Sequence, residues 1–102
     1  TLGTLQDQFA TGECLPGVSA ELITADLRRQ LRIDERVEGI VVTEVARNSP
    51  YAAIFPVGTV IEQINRVPID NLATARNALR TGRNMALVYT SGVYRYVVFE
   101  VR

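Results

Sequence analysis

Side chains able to carry catalytic chemistry are scarce in this chain of 102 residues. The chain contains no histidine, so a Ser-His-Asp or Cys-His site cannot be built from it. Its one cysteine, Cys14, lies between Glu13 and Leu15, and we expect a small, partly buried apolar residue there rather than a nucleophile. A single cysteine also excludes an internal disulfide.

Carboxylates are the remaining candidate groups. Asp34, Glu35, Glu38 and Glu44 have the pattern of ordinary solvated side chains, and we do not predict an acid/base pair among them. The glycines are too scattered for a phosphate-binding loop, and no Cys or His cluster has the spacing of metal ligands. The sequence therefore predicts that this chain is not itself an enzyme and holds no metal or other cofactor. Binding is the function that is left.

Two stretches could form a binding surface. Residues 17–22 alternate apolar and polar side chains, and because Pro16 cannot donate to a strand ladder, we expect this strand to begin at a free edge or a loop. Leu72, Ala75 and Leu79 have the i, i+3, i+7 spacing of one helix face. A groove between an edge strand and a helix accepts an extended peptide as an added strand. N–H groups of the loop ahead of the strand could bind a terminal carboxylate.

The other apolar runs predict the elements that position this surface. Val37–Val45 and Val57–Asn65 are β-branched runs that predict buried core strands. Ser49-Pro50 predicts a short helix that ends before Pro56. Two β runs joined at Ser91-Gly92 predict a final hairpin, buried in part on both faces of its last strand. With helices beginning after Thr24 and Asn71, the order predicts an α+β domain, a small partly open barrel or sandwich of five to six strands capped by two helices.

Composition sets the class of protein and its partners. Apolar residues make up 47% and charged residues 22%, which is typical of one globular domain of this length. The formal net charge is zero, so no nucleic-acid-binding face is predicted. No run has the length and apolarity of a membrane-spanning helix, and we predict no direct membrane insertion. Residues 1–12 are expected to be a linker or the end of a preceding domain, and residues 13–102 the folded domain.

Several motifs in this order resemble a PDZ domain of the bacterial HtrA/Do (DegP-like) serine proteases, and most closely the second, C-terminal one. They are Leu15-Pro-Gly-Val, residues 21–31, Gly39-Ile-Val-Val-Thr-Glu-Val, Asn48-Ser-Pro-Tyr-Ala-Ala, residues 57–69 and the helix that begins at Leu72. The resemblance covers about residues 13–102. Val57-Gly58-Thr59 replaces the family's usual Pro-Gly-Asp, and Arg66 replaces the Gly that usually follows the Asn.

The resemblance implies a peptide-binding site made of a carboxylate-binding loop, a strand and one helix face. Its residues would be Leu15, Pro16, Gly17, Val18, Ser19, Ala20, Leu22, Leu72, Ala75, Arg76 and Leu79. Pro16 departs from the family's usual residue and removes one N–H from the loop. Two plainer interpretations stay open, since Leu72 and Leu79 could be ordinary core residues and Gly17 could form an ordinary turn.

The resemblance also implies a role for the whole protein. The parent would be a serine endopeptidase of the periplasm or cell envelope, and this module would bind peptide or unfolded-protein segments during protein quality control. Three alternatives remain open. The domain could serve assembly or regulation, with its groove closed by a neighbouring domain or subunit; it could belong to another envelope protein; or, least in keeping with its residues, it could be an independent enzyme.

Overall fold

The structure, a computed structural model, describes residues 12–15 and 17–101, and its strands form one antiparallel sheet. The elements in chain order are β1 (Glu13–Leu15), β2 (Val18–Leu22), α1 (Ala25–Leu31), β3 (Ile40–Val45), β4 (Val60–Ile64), β5 (Val67–Pro68), α2 (Leu72–Ala78), β6 (Gly82–Thr90) and β7 (Val93–Val101). Hydrogen bonds connect them in the order β1-β2-β3-β4-β6-β7, and β5 pairs with β4. The predicted α+β, PDZ-like fold is confirmed, with seven strands among the described residues where five or six were predicted.

The core is built on the two strands that the sequence placed there. Ile40 of β3 pairs with Ile61 of β4, and both side chains are fully buried. β-Branched side chains pack well on a pleated surface that is covered by other elements, which explains the long apolar runs. Phe55 and Phe99 close the core with an edge-to-face contact, their ring centroids 5.1 Å apart.

The segment after Ser49 does not form the predicted short helix. Residues 51–55 form consecutive turns, in which the N–H of Phe55 donates to the carbonyl of Tyr51 at 2.9 Å. Pro56 follows directly, and a residue before proline is disfavoured in helical conformation, so no further helical turn is added. The segment is fixed instead by its side chains, because the Tyr51 hydroxyl donates to the carbonyl of Glu100 at 2.9 Å.

The last strand is less buried than the sequence suggested. β7 lies at the end of the strand order, and the face that carries Tyr94, Tyr96 and Val98 is exposed, with 62% of Tyr96 accessible to solvent. Phe99 and Val101 on the other face are buried. The prediction of burial on both faces is therefore wrong for Tyr96 and Val98, whereas the Tyr94 ring contacts Tyr89 of β6 with centroids 5.0 Å apart.

Helix α2 is held at both ends by asparagines. Asn71 accepts the Thr74 N–H at 2.8 Å, as expected of an N-cap residue. The buried Asn84 donates to the Arg80 carbonyl at 2.8 Å, and Asn65 donates to the Ala78 carbonyl at 2.8 Å. The Asn65 bond satisfies a carbonyl at the helix end, and the Asn84 bond fixes the loop that follows the helix to β6. No helix in the described part of the chain is long and apolar enough to cross a membrane.

Candidate functional site

Both edges of β2 are paired over its first half. On one side β3 pairs with β2, with Val18 opposite Val45 and Leu22 opposite Ile40. On the other side β1 runs antiparallel to β2, and the Ala20 N–H donates to the Gly12 carbonyl at 3.0 Å. The prediction that β2 has a free edge is therefore wrong for its first half. The alternative prediction, that β2 begins at a loop, is correct. A two-residue connection folds the preceding segment directly back onto the strand.

Gly17 fixes the loop between β1 and β2. Its φ is +81°, in the left-handed region that glycine adopts readily, and a Cβ there would lie 2.8 Å from the Cβ of Ser49. The Gly17 carbonyl accepts the Ala46 N–H at 2.8 Å, which joins the loop to the end of β3. The Gly17 N–H donates at 3.1 Å to the Oε2 atom of Glu13. Pro16, the neighbouring predicted site residue, lies outside the described residues.

Helix α2 completes the site from the side. It contacts both β1 and β2, and the Nε atom of Arg76 donates to the carbonyl of Glu13 at 2.7 Å. Ala75 and Leu79 are buried in the main core, with only 6% of Leu79 exposed, and Leu72 packs against that core while half-buried. An extended segment, β1, therefore already lies along β2 and is bonded to α2.

An irregular pairing register brings two successive side chains of β1 into the core. The register between β1 and β2 shifts between Glu13 and Leu15, and both Cys14 and Leu15 are buried. Such a bulge breaks the alternation of side chains along a strand. Burial raises the pKa of the Cys14 thiol to about 12, and the thiol donates weakly to the Val18 carbonyl at 3.7 Å. Cys14 is therefore a fully buried core residue, where the sequence suggested partial burial.

The structure brings the predicted loop, strand and helix residues together, with one outlier. Leu22 lies at the far end of β2, where 54% of it is exposed. Leu15, Val18, Ala20, Ala75 and Leu79 are buried, and Gly17, Ser19, Leu72 and Arg76 are half-buried. Burial is compatible with core packing and with a groove filled by β1, so the peptide-binding roles of these residues stay predictions.

Glu13 is the site residue that the sequence did not indicate. Its carboxylate accepts from the loop and its carbonyl accepts from Arg76, so both halves of the site converge on this residue. The available signal was the Pro16-Gly17 pair, since a tight turn there folds the preceding residues onto the strand that follows. Among the described residues, no group of three or more His, Cys, Asp or Glu side chains could hold a metal ion.

Comparison with known proteins identifies similar solved structures. No family model matches the sequence, and no curated protein matches it. The chain is 27% identical to the HtrA-type protease AlgW solved with a decapeptide, at a TM-score of 0.70 over 82% of this chain and 27% of that one. It is 25% identical to an AlgW variant solved with a tripeptide, at a TM-score of 0.58 over 96% of this chain and 35% of that one. The chain thus spans about a quarter to a third of the length of these proteins.

Proposed function

We propose that this chain, whose PDZ-like fold is similar to part of HtrA-type proteases, is a non-catalytic module that binds extended peptide segments for such a protease. The parent would be a serine endopeptidase of the cell envelope, with this chain as its second, C-terminal PDZ domain. The similar AlgW structures hold a decapeptide and a tripeptide, which supports peptides as ligands.

One observation carries the proposal: the space along β2 beside α2 holds an extended strand. β1 lies there antiparallel to β2, bonded to Ala20 through the carbonyl of Gly12 and to Arg76 through the carbonyl of Glu13. A peptide bound by strand addition uses the same kind of main-chain bonds. The elements are therefore suited to a peptide, provided that part of β1 gives way to it.

The expected affinity is modest. Three main-chain hydrogen bonds contribute about 1 kcal/mol each. One buried apolar side chain of the peptide adds about 1.5–3 kcal/mol. The total of about 4.5–6 kcal/mol corresponds to a Kd of about 40–500 µM. Displacing β1 weakens binding further, which suits a module that acts tethered to its enzyme, where effective concentrations are high.

The proposal is tested by titrating the domain with a library of labelled C-terminal decapeptides, followed by fluorescence anisotropy. We expect binders in the range of about 10 µM to 1 mM. Leu72→Ala should weaken the best of them about fivefold, because it removes half-buried apolar surface beside the site. Val57→Ala removes a similar side chain from an exposed position and is the matched control. Absence of binding at millimolar peptide would refute the proposal.

A second candidate function is assembly or regulation of the parent enzyme. Two observations favour it: β1 already covers the first half of the β2 edge, and Tyr94, Tyr96 and Val98 present apolar surface on the outer face of β7. Sizing of the full-length protein with and without this domain tests it. A change in oligomer size supports an assembly role, and an unchanged size counts against it.

A further inference from the structure

We propose that Glu13 is a built-in competitor for this site: its side-chain carboxylate occupies the loop N–H that an incoming peptide carboxylate would use, so a peptide must displace the residues around Glu13 to bind. The inference rests on the proposed peptide-binding function. It adds a regulatory contact within the chain and names the residue that sets its strength.

The geometry places a carboxylate at the donor of the loop. Glu13 Oε2 lies 3.1 Å from the Gly17 nitrogen, and hydrogen bonds that involve an ionised acceptor are the stronger ones. The neighbouring Pro16 has no N–H of its own to offer, so the donor of Gly17 matters more. A peptide whose terminal carboxylate approached this loop would therefore compete with Glu13 for the same N–H.

Only the first part of the segment can leave without opening the core. Gly12 and Glu13 are half-buried, whereas Cys14 and Leu15 are buried completely or nearly so. Among the described residues, nothing lies within 4 Å of a Cβ added at Gly12, so that side of the residue is not packed against them. The boundary between movable and anchored residues thus falls between Glu13 and Cys14.

Release of those residues frees a defined set of bonding groups. The Ala20 N–H loses the Gly12 carbonyl, the Arg76 guanidinium loses the Glu13 carbonyl, and the Gly17 N–H loses the Glu13 carboxylate. An extended peptide with a carboxylate at its end offers two main-chain carbonyls and an anion for these three donors. The ligand class is therefore an extended peptide that carries a carboxylate near the loop.

A peptide binds only when these donors are free. Its apparent affinity is therefore its intrinsic affinity multiplied by the fraction of time that Glu13 leaves the donors free. Glu13→Gln keeps the length and shape of the side chain but removes its charge, so the remaining bond to Gly17 is weaker. Because the pair is partly exposed to solvent, we expect the gain in peptide affinity to be about fivefold rather than the larger factor of a buried pair.

The experiment measures anisotropy of one labelled decapeptide from the library titration, made with a free C-terminal carboxylate and again as the amide. It compares the wild-type domain, Glu13→Gln and Glu44→Gln, which removes the same charge from an exposed position on β3. We expect Glu13→Gln to bind the free-carboxylate peptide about fivefold tighter than wild type. The amidated peptide should gain less than about twofold, and Glu44→Gln should match wild type.

The outcomes separate this inference from the function on which it rests. Equal affinities for wild type and Glu13→Gln, or equal gains for both peptides, overturn the inference and leave peptide binding intact. No binding by any variant overturns both. Without peptide, the Gly17 amide resonance should move in Glu13→Gln while the melting temperature stays within a few degrees. An unmoved Gly17 resonance overturns the assigned contact.

Discussion

The loop glycine offers a quantitative test of the site geometry. Replacing Gly17 with Ala places a side chain where φ is +81°, which costs roughly 1 kcal/mol for a non-glycine residue. The new Cβ would also lie 2.8 Å from the Cβ of Ser49, well inside normal contact distance. Overpacking of this kind lowers the unfolding free energy by roughly 1–3 kcal/mol. The variant should therefore lose about 3 kcal/mol of unfolding free energy in total.

Gly92 is the matched control for this substitution. Its φ is +86°, nearly that of Gly17, but a Cβ there would meet nothing within 4 Å. Gly92→Ala should therefore lower the unfolding free energy only by the contribution from its positive φ, roughly 1 kcal/mol. In urea denaturation followed by circular dichroism, Gly17→Ala should lose about 2 kcal/mol more than the control, which corresponds to roughly 8–16 °C in melting temperature. Equal losses would refute the assigned packing of the loop against Ser49.

Three further predictions concern two core residues beside the site. Leu79→Glu should unfold the domain, because it buries a carboxylate in the apolar core. Circular dichroism should show the loss of structure. A variant that stays folded but fails to bind peptide would instead assign Leu79 to an open groove. Cys14 should resist alkylation by iodoacetamide at pH 8 until the domain unfolds. Because burial raises its pKa from 9.0 to about 12, the buried thiol contributes stability that is complete below pH 9 and is lost as the pH rises toward about 12. The stability of wild type relative to Cys14→Ala should fall over that range in chemical denaturation, and a constant difference would contradict the burial of the thiol.

The central strands and the start of α2 were predictable from the sequence, because the residue patterns that determine them lie within or next to each element. The β-branched runs of β3 and β4 predicted buried strands, and Asn71 predicted the N-cap of α2. The prediction of a short helix after Ser49 was wrong, because Pro56 comes three residues after the centre of the predicted helix and disfavours a helical conformation at Phe55. The exposure of Tyr96 depends on the position of β7 in the sheet, and a strand pattern alone does not give that position.

The sequence indicated the loop, strand and helix that the structure brings together, but it did not indicate that β1 covers part of the β2 edge. Gly17 and the helix face at Leu72 indicated where a groove would form. Whether a strand edge is free depends on what the preceding residues do, and the three residues of β1 are too short to show a period. Glu13 was missed for the same reason, since its carboxylate reaches the loop only after the turn has folded β1 back onto β2.

Amide chemical-shift mapping of a peptide titration would show directly whether β2 and α2 bind extended peptide. Peptide binding along β2 should shift the amide resonances of residues 12–22 and 72–79, with the largest shifts at Gly17 and Ala20, whose N–H groups exchange their present partners for the peptide. The amide chemical shifts of β6 and β7 should stay unchanged. Shifts confined to the exposed face around Tyr96, or no shifts at millimolar peptide, would contradict peptide binding between β2 and α2.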